Sequence, residues 1–186
     1  MPLPKSPAAL LIIDMQQGIN ATRLGPRNNP AAETNMSRLL AAWRVTGAPV
    51  VHIRHISRSP SSVFWPGQSG VEFQATFIPR DVEHVVEKNV PDAFAHSGLE
   101  RWLRVRDIRD LVIVGVATNN SVESTARSAA NLGFASVVVA DATFTFAQTD
   151  YDGVLRSADI VHAMALANLQ GDYAVVGSTD GLLGTD

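Results

Sequence analysis

The sequence contains no cysteine among its 186 residues. Disulfide bonds, cysteine-ligated zinc, iron–sulfur clusters and catalysis by a thiol are therefore excluded for this chain. Long hydrophobic runs are also lacking, since residues 8–13 and 111–116 fall far short of the roughly 20 residues that a membrane-spanning helix needs. No secretory leader pattern is visible. We therefore expect a soluble, cytoplasmic protein with no membrane partner.

An excess of charge of one sign is lacking as well. The chain has 15 Lys and Arg against 18 Asp and Glu, a net charge of −3, and the arginines within residues 101–110 are interspersed with acids. We therefore expect no nucleic-acid partner, because such proteins usually carry a basic stripe. Apolar residues make up 46% and charged residues 18% of the chain, which excludes disordered and fibrous classes. The length predicts a single domain over residues 1–186.

Six short runs rich in β-branched residues predict the strands of a buried sheet. Most are apolar on both faces, which is typical of a parallel sheet covered by helices on both sides. Helical patterns lie between them, and several end at a glycine. The alternation predicts right-handed βαβ units and one three-layer α/β/α, Rossmann-like domain with a mainly parallel sheet. The predicted strands are 8–13, 49–53, 84–87, 111–115, 135–140 and 173–177, and the predicted helices are 33–46, 98–105, 119–132 and 151–169.

Two long segments interrupt this alternation. Residues 15–31 and 57–79 are rich in glycine, proline, serine and asparagine, which is typical of loops. Both follow the carboxyl end of a predicted strand, where an open α/β sheet places its ligand crevice. Long loops inside a compact domain usually have a function. We therefore expect these two to be lids or binding loops.

Three polar side chains are predicted at the carboxyl edge of the sheet. Asp14 follows the first strand, Lys88 follows the third, and Ser121 lies in the first turn of the helix after the fourth. A helix N-terminus stabilises developing negative charge and suits a nucleophile with an oxyanion hole. Each residue alone has a simpler interpretation, as a turn residue, a solvated strand end, or a capping residue beside Thr118 and Asn119. Since parallel strands end together, one crevice could hold all three.

With their neighbours, these positions resemble the isochorismatase-like hydrolases, also called the cysteine hydrolase family. The resemblance spans nearly the whole chain, in order and with suitable spacing, and the block after the fourth strand is its most specific part. It implies a catalytic triad of Asp14, Lys88 and the residue at position 121, where the family has cysteine and this sequence has Ser121. The motifs that carry it are residues 10–16, Pro66-Gly67, Lys88, and residues 111–119, 122–129 and 165–169.

The resemblance also implies a mechanism. It places a cis peptide between Val116 and Ala117 and makes the N–H groups of Ala117 and Ser121 candidates for the oxyanion hole. It implies hydrolysis of a small amide or related C–N acyl bond, in which Asp14 moves the proton, residue 121 attacks, and Lys88 holds Asp14. A hydroxyl is far less acidic than a thiol, and a carboxylate held ionised beside a lysine is a weak acceptor for its proton. We therefore expect the serine form to be slow or inactive.

Three interpretations of Ser121 stay open. The serine is an engineered replacement of a single catalytic cysteine, which agrees with the absence of any other cysteine. Alternatively, the protein needs no nucleophile, because isochorismatases of this family hydrolyse a vinyl ether by protonation from the aspartate. The third interpretation is a ligand-binding homologue without catalysis. In each case we expect a small-molecule ligand and, from the resemblance, a homodimer or homotetramer.

Further candidates lie around this site. Phe64, Trp65 and Gln68 of the second long loop are candidates for substrate binding, and the two aromatics could form the wall of an apolar pocket. A packing or subunit contact is an equally open interpretation of the aromatic pair. Asn89 and Arg54 both lie close to strand ends. They are weaker candidates, for contact with a carboxylate or carbonyl group of the substrate.

His52 is interpreted as a hydrogen-bonded core histidine, because it lies within an apolar strand. His52 and His55 also lack the Asp-x-His spacing with which nicotinamidases of this superfamily bind zinc. We therefore predict no metal and no cofactor.

Overall fold

Six parallel strands form the central sheet of the computed structural model, which describes residues 8–185. By residue range, the strand order across the sheet is 84–88, 50–55, 9–13, 110–116, 135–144 and 175–177, so the chain winds outward from the middle of the sheet in both directions. This confirms the predicted α/β/α fold and its mainly parallel sheet. In chain order the elements are β1 (Ala9–Ile13), α1 (Ala32–Thr46), β2 (Val50–His55), β3 (His84–Lys88), α2 (Leu99–Arg104), β4 (Asp110–Val116), α3 (Glu123–Asn131), β5 (Ala135–Phe144), β6 (Gln148–Thr149), β7 (Leu155–Arg156), α4 (Ala158–Leu169), β8 (Val175–Gly177) and α5 (Thr179–Leu183).

Side chains of the central strands alternate between two hydrophobic cores. Leu10 and Ile12 of β1 point to the face covered by α1 and α5, and Leu11 and Ile13 point to the face covered by α2, α3 and α4. All five residues of β1 are buried, because both faces of a covered parallel sheet are dry. No helix in the described range, 8–185, is long and apolar enough to cross a membrane.

The predicted helix over 151–169 is wrong in its first part. Residues 148–156 form the antiparallel hairpin β6–β7, and α4 begins only at Ala158. The turn of the hairpin uses Gly153 at φ 84°, and the Asp150 side chain accepts hydrogen bonds from backbone N–H groups of the turn. Ser157 then caps α4 by accepting from the Ile160 N–H.

The predicted helix over 119–132 has an irregular start. Residues Thr118–Val122 form a π-helical turn, in which the Val122 N–H donates to the Ala117 carbonyl at 3.2 Å, and the α-helix proper begins at Glu123. Such widened turns often occur at functional sites. Strand β5 is longer than predicted and continues to Phe144, and α5 was not predicted.

Gly115 brings β4 close to β1 just before this turn. Its φ is 119°, in a region that L side chains rarely adopt. A Cβ atom built there would lie 2.2 Å from the carbonyl oxygen of Ile13. The pairing of β4 with β5 also shifts its register between Ile113 and Gly115. Only glycine fits this position, from which the chain enters the candidate site.

The two long loops are bound to each other through Gln16. This fully buried side chain donates from Nε2 to the carbonyls of His55 (3.0 Å) and Val71 (2.9 Å), and its Oε1 accepts from the His55 N–H (2.8 Å). Gly18 and Gly70 allow a close approach nearby, since a Cβ at either would lie within 2.6 Å of the Val63 carbonyl oxygen. Both loops therefore pack as one layer over the carboxyl edge of the sheet.

Glu83, just before β3, is held by three partners. Arg44 donates to both of its carboxylate oxygens at 2.7 and 2.9 Å, the Arg80 N–H donates at 2.9 Å, and His52 Nε2 lies 2.9 Å from Oε2. Burial alone would raise the pKa of Glu83, but these hydrogen bonds outweigh it and lower the pKa to about 2. His52 is fully buried, which confirms its interpretation as a hydrogen-bonded core histidine.

Acid should therefore weaken the fold through Glu83. Its pKa in the folded state lies below the ordinary value of about 4.3, so its stabilisation is complete above about pH 5 and is lost as the pH falls toward 2. The expected loss is up to about 3 kcal/mol of the free energy of unfolding. When urea unfolding is measured between about pH 6 and about pH 3, the free energy of unfolding should fall less steeply with decreasing pH for Glu83→Gln than for the parent chain. An equal pH dependence of the two free energies would contradict this role.

Candidate active site

Asp14, Lys88 and Ser121 meet at the carboxyl edge of the sheet. Lys88 Nζ donates to Asp14 Oδ2 at 2.7 Å and to Ser121 Oγ at 3.1 Å. The three residues are only 3–5% exposed. The lysine is the last residue of β3, the aspartate directly follows β1, and the serine lies in the π-helical turn after β4. The ends of three parallel strands thus bring together side chains that are far apart in the sequence.

Asp14 has an unusual backbone and an unpaired oxygen. Its φ of 55° lies in the left-handed region, which non-glycine residues seldom occupy and which recurs at functional sites. Its Oδ1 is buried and has no hydrogen-bond partner among residues 8–185, whereas Oδ2 is held by Lys88. Buried carboxylate oxygens are normally paired. Oδ1 is therefore an unused hydrogen-bond acceptor within the site.

His55 is a third partner of Lys88, at 3.2 Å between Nδ1 and Nζ. An ammonium group has three donors and no acceptor, so Nδ1 must be the unprotonated nitrogen. Burial lowers the pKa of His55, the charge of Lys88 lowers it further, and Asp14 opposes both. A neutral imidazole therefore completes the hydrogen bonding of the lysine.

Sequence reasoning missed this contact, because it considered His55 only as a metal ligand. The contact follows from the structure, in which β2 pairs with β3 so that His55 lies directly beside Lys88. Among residues 8–185, no group of three or more His, Cys, Asp or Glu side chains is arranged to hold a metal ion.

The turn after β4 forms the other wall of the site. The peptide bond between Val116 and Ala117 is cis. Thr118 is fully buried, and its Oγ1 lies 2.8 Å from His162 Nδ1. Asn119 accepts from Thr145 Oγ1 at 2.5 Å and donates to Gln148 Oε1 at 2.7 Å. These bonds fix the turn that carries Ser121. The role of the Ala117 and Ser121 N–H groups as an oxyanion hole stays a prediction.

A cavity of about 510 Å³ opens beside Lys88. Of the predicted pocket residues, Trp65 and Asn89 line it, whereas Phe64 and Gln68 do not. Phe64 packs its ring 5.7 Å from that of His55, and Gln68 donates to the Ser62 carbonyl within its own loop. The lining residues are Ile56, Ser57, Arg58, Trp65, Pro66, Glu87, Lys88, Asn89, Ala95 and His96.

Comparisons with known proteins show which family the chain resembles over almost its whole length. The family model for the isochorismatase domain matches residues 8–180. An uncharacterized isochorismatase family protein from Bacillus subtilis (strain 168), YrdC, is 35% identical over 175 residues, which cover 94% of each chain. The crystal structure of a protein assigned as a hydrolase of the isochorismatase family, from Chromobacterium violaceum ATCC 12472, is 47% identical. It superposes with a TM-score of 0.94, covering 98% of this chain and 95% of the other.

A further relative has a named reaction. The ureidoacrylate amidohydrolase RutB from Variovorax paradoxus (strain S110) is 28% identical over 176 residues, which cover 76% of this chain and 70% of that protein. The match of the family model over nearly the whole described range, together with the identity to the Bacillus protein, establishes the family. The chain belongs to the isochorismatase family of hydrolases.

Proposed function

We propose that this site hydrolyses a small amide or related C–N acyl bond, and that it needs a cysteine at position 121 to do so rapidly. The observation that carries the proposal is the position of Lys88 Nζ, which donates to both Asp14 and Ser121 in a buried site. A carboxylate and a nucleophile position that are bridged by one lysine supply the set of groups that acyl transfer requires. The named reaction of the amidohydrolase relative supports the same bond type.

The proposed reaction begins with proton transfer from the residue at position 121 to Asp14. The nucleophile forms a bond with the amide carbonyl carbon, and the carbonyl oxygen becomes an oxyanion held by the N–H groups of Ala117 and residue 121. The C–N bond then breaks, and Asp14 returns the proton to the leaving nitrogen. Water then attacks the acyl carbon and gives a proton to Asp14, the bond between that carbon and residue 121 breaks, and Asp14 returns the proton to residue 121, which releases the carboxylic acid and restores the starting enzyme. Lys88 keeps Asp14 in place throughout.

Serine at the nucleophile position limits this chemistry. A thiol has an ordinary pKa of about 8.5, which a nearby lysine and a helix N-terminus lower further. An alcohol stays protonated near neutral pH and depends on a strong, aligned base. In this site the carboxylate already accepts a hydrogen bond from Lys88. The present chain is therefore a slow or inactive form, which retains the pocket of its active counterpart.

A second candidate is vinyl-ether hydrolysis of the isochorismatase type. It is favoured by Ser121 itself and by the unpaired Oδ1 of Asp14, because a buried carboxyl group can protonate a substrate without a covalent intermediate. A ligand-binding protein without catalysis is the alternative that is not an enzyme.

The test is mass spectrometry and product assay on the parent chain and Ser121→Cys, with a panel of small amides and with isochorismate. An acyl adduct and amide hydrolysis with Ser121→Cys would support the proposal. Turnover of isochorismate by the parent chain, lost on Asp14→Ala, would replace it with acid catalysis. No turnover by either protein would contradict both hydrolase functions and leave ligand binding.

A further inference from the structure

The cavity beside Lys88 carries one positive charge that no neighbour balances. Its ionisable side chains are Arg58, Glu87, Lys88 and His96. Lys88 is paired with Asp14, and Glu87 is paired with Arg54. His96 adds no negative charge. Arg58 forms neither an ion pair nor a side-chain hydrogen bond with any residue in the described part of the chain.

The backbone around Arg58 is fixed, although its side chain is exposed. The Ile56 N–H donates to the Lys88 carbonyl at 2.8 Å, and the Ser57 N–H donates to the Phe64 carbonyl at 2.9 Å. The Ser59 N–H then donates to Ser57 Oγ at 3.1 Å. These bonds tie the start of the second loop to the end of β3. Arg58 is thus held on the same cavity that Lys88 lines.

We propose that Arg58 binds a carboxylate of the substrate, so that the preferred amide is one that carries a carboxylate at its far end. The inference rests on the proposed function for the identity of the reacting group. A guanidinium group binds a carboxylate through two parallel hydrogen bonds, which fixes both distance and direction. Trp65 and Pro66 provide an apolar wall along which the carbon chain between the amide and the carboxylate lies.

In this proposal the substrate carboxylate is bound by Arg58, and not by Arg54 as the sequence suggested. The Arg54 guanidinium is bound to the Glu87 carboxylate and lies 5.7 Å from the Phe73 ring, and Arg54 does not line the cavity. Its charge is already balanced, so it has little left to offer a substrate anion.

The test is calorimetric titration of the parent chain, in which Ser121 keeps turnover from disturbing the measurement. The probes are malonamate, succinamate and glutaramate, each beside the neutral amide in which a methyl group replaces the carboxylate: propionamide, butyramide and valeramide. We expect the best anionic amide to bind at least about tenfold more tightly than its neutral counterpart. Arg58→Gln should remove the difference, and Arg58→Lys should restore part of it.

Arg101→Gln is the matched control, because Arg101 is an exposed arginine of α2 that lies outside the cavity. It should keep the full preference for the anionic amide. No preference in the parent chain, no binding of any anionic amide at millimolar concentration, or a preference that survives Arg58→Gln would each overturn the inference.

The failure of this inference can be told apart from that of the proposed function. Equal hydrolysis of anionic and neutral amides by Ser121→Cys would overturn the carboxylate site and leave amide hydrolysis standing. An anionic preference that depends on Arg58, with no hydrolysis by Ser121→Cys, would support the carboxylate site and contradict amide hydrolysis.

Discussion

Ser121→Cys is expected to raise the rate of amide hydrolysis by at least about 100-fold over the parent chain. The substitution changes one atom in a buried site, where Lys88 Nζ already lies 3.1 Å from the side-chain oxygen. A thiolate at this position would be stabilised by the ammonium group and by the N-terminal end of the π-helical turn. The measurement is kcat/KM on the best amide of the panel, with parent and variant assayed together.

Ser128→Cys is the control for a thiol as such. Ser128 lies on α3, where its hydroxyl donates to Asp92, away from Lys88. This variant should hydrolyse amides no faster than the parent chain. The thiol of Ser121→Cys should also react with iodoacetamide at lower pH than that of Ser128→Cys, because only the former adjoins a lysine. Coincident pH profiles, or equal rates of hydrolysis, would contradict the assignment of position 121 as the nucleophile.

Lys88→Met is expected to lower the free energy of unfolding by about 3–5 kcal/mol. Methionine roughly conserves the length of the lysine stem but leaves the Asp14 carboxylate buried without a partner, since Lys88 is its side-chain contact in this site. Removing one member of a buried ion pair costs more than removing both, because the remaining charge is no longer compensated. Urea unfolding at neutral pH measures the loss.

The double variant Asp14→Asn/Lys88→Met separates charge from packing. It should recover most of the lost stability, because no buried charge is left. Asp14→Asn alone should cost less than Lys88→Met, because Lys88 keeps Ser121 and His55 as acceptors. A double variant as unstable as Lys88→Met would mean that packing of the lysine stem, and not charge, dominates. The expected pattern describes a buried ion pair whose two charges are tolerated only together.

The sheet and the position of the site could be predicted from local patterns. Apolar runs identify the six parallel strands, and parallel strands must end at one edge, so Asp14, Lys88 and Ser121 were expected near one another. The chemistry at position 121 came from the resemblance, because a serine at a strand–helix junction is more often a cap.

Other features depend on contacts that local patterns do not contain. The predicted helix over 151–169 begins at Tyr151, yet Tyr151, Val154 and Leu155 are exposed and lie in or beside the β6–β7 hairpin. The contact of His55 with Lys88 required the register of β2 on β3. The partners of Gln16 lie 39 and 55 residues away along the chain, and nothing in a polar loop residue indicates them.

The hydrogen bonds of Gln16, which link the two long loops, restrict the sequence changes that these loops can accept. A chimaera that takes only one of the two long loops from a relative would have to keep the Val71 carbonyl within reach of the Gln16 side chain. A residue larger than glycine at position 18 or 70 would also collide with the Val63 carbonyl. The two segments are therefore constrained to change together, although the whole of α1 and β2 separates them in the chain. We expect a change of ligand preference to need exchange of both segments, or a single substitution of a lining residue such as Trp65.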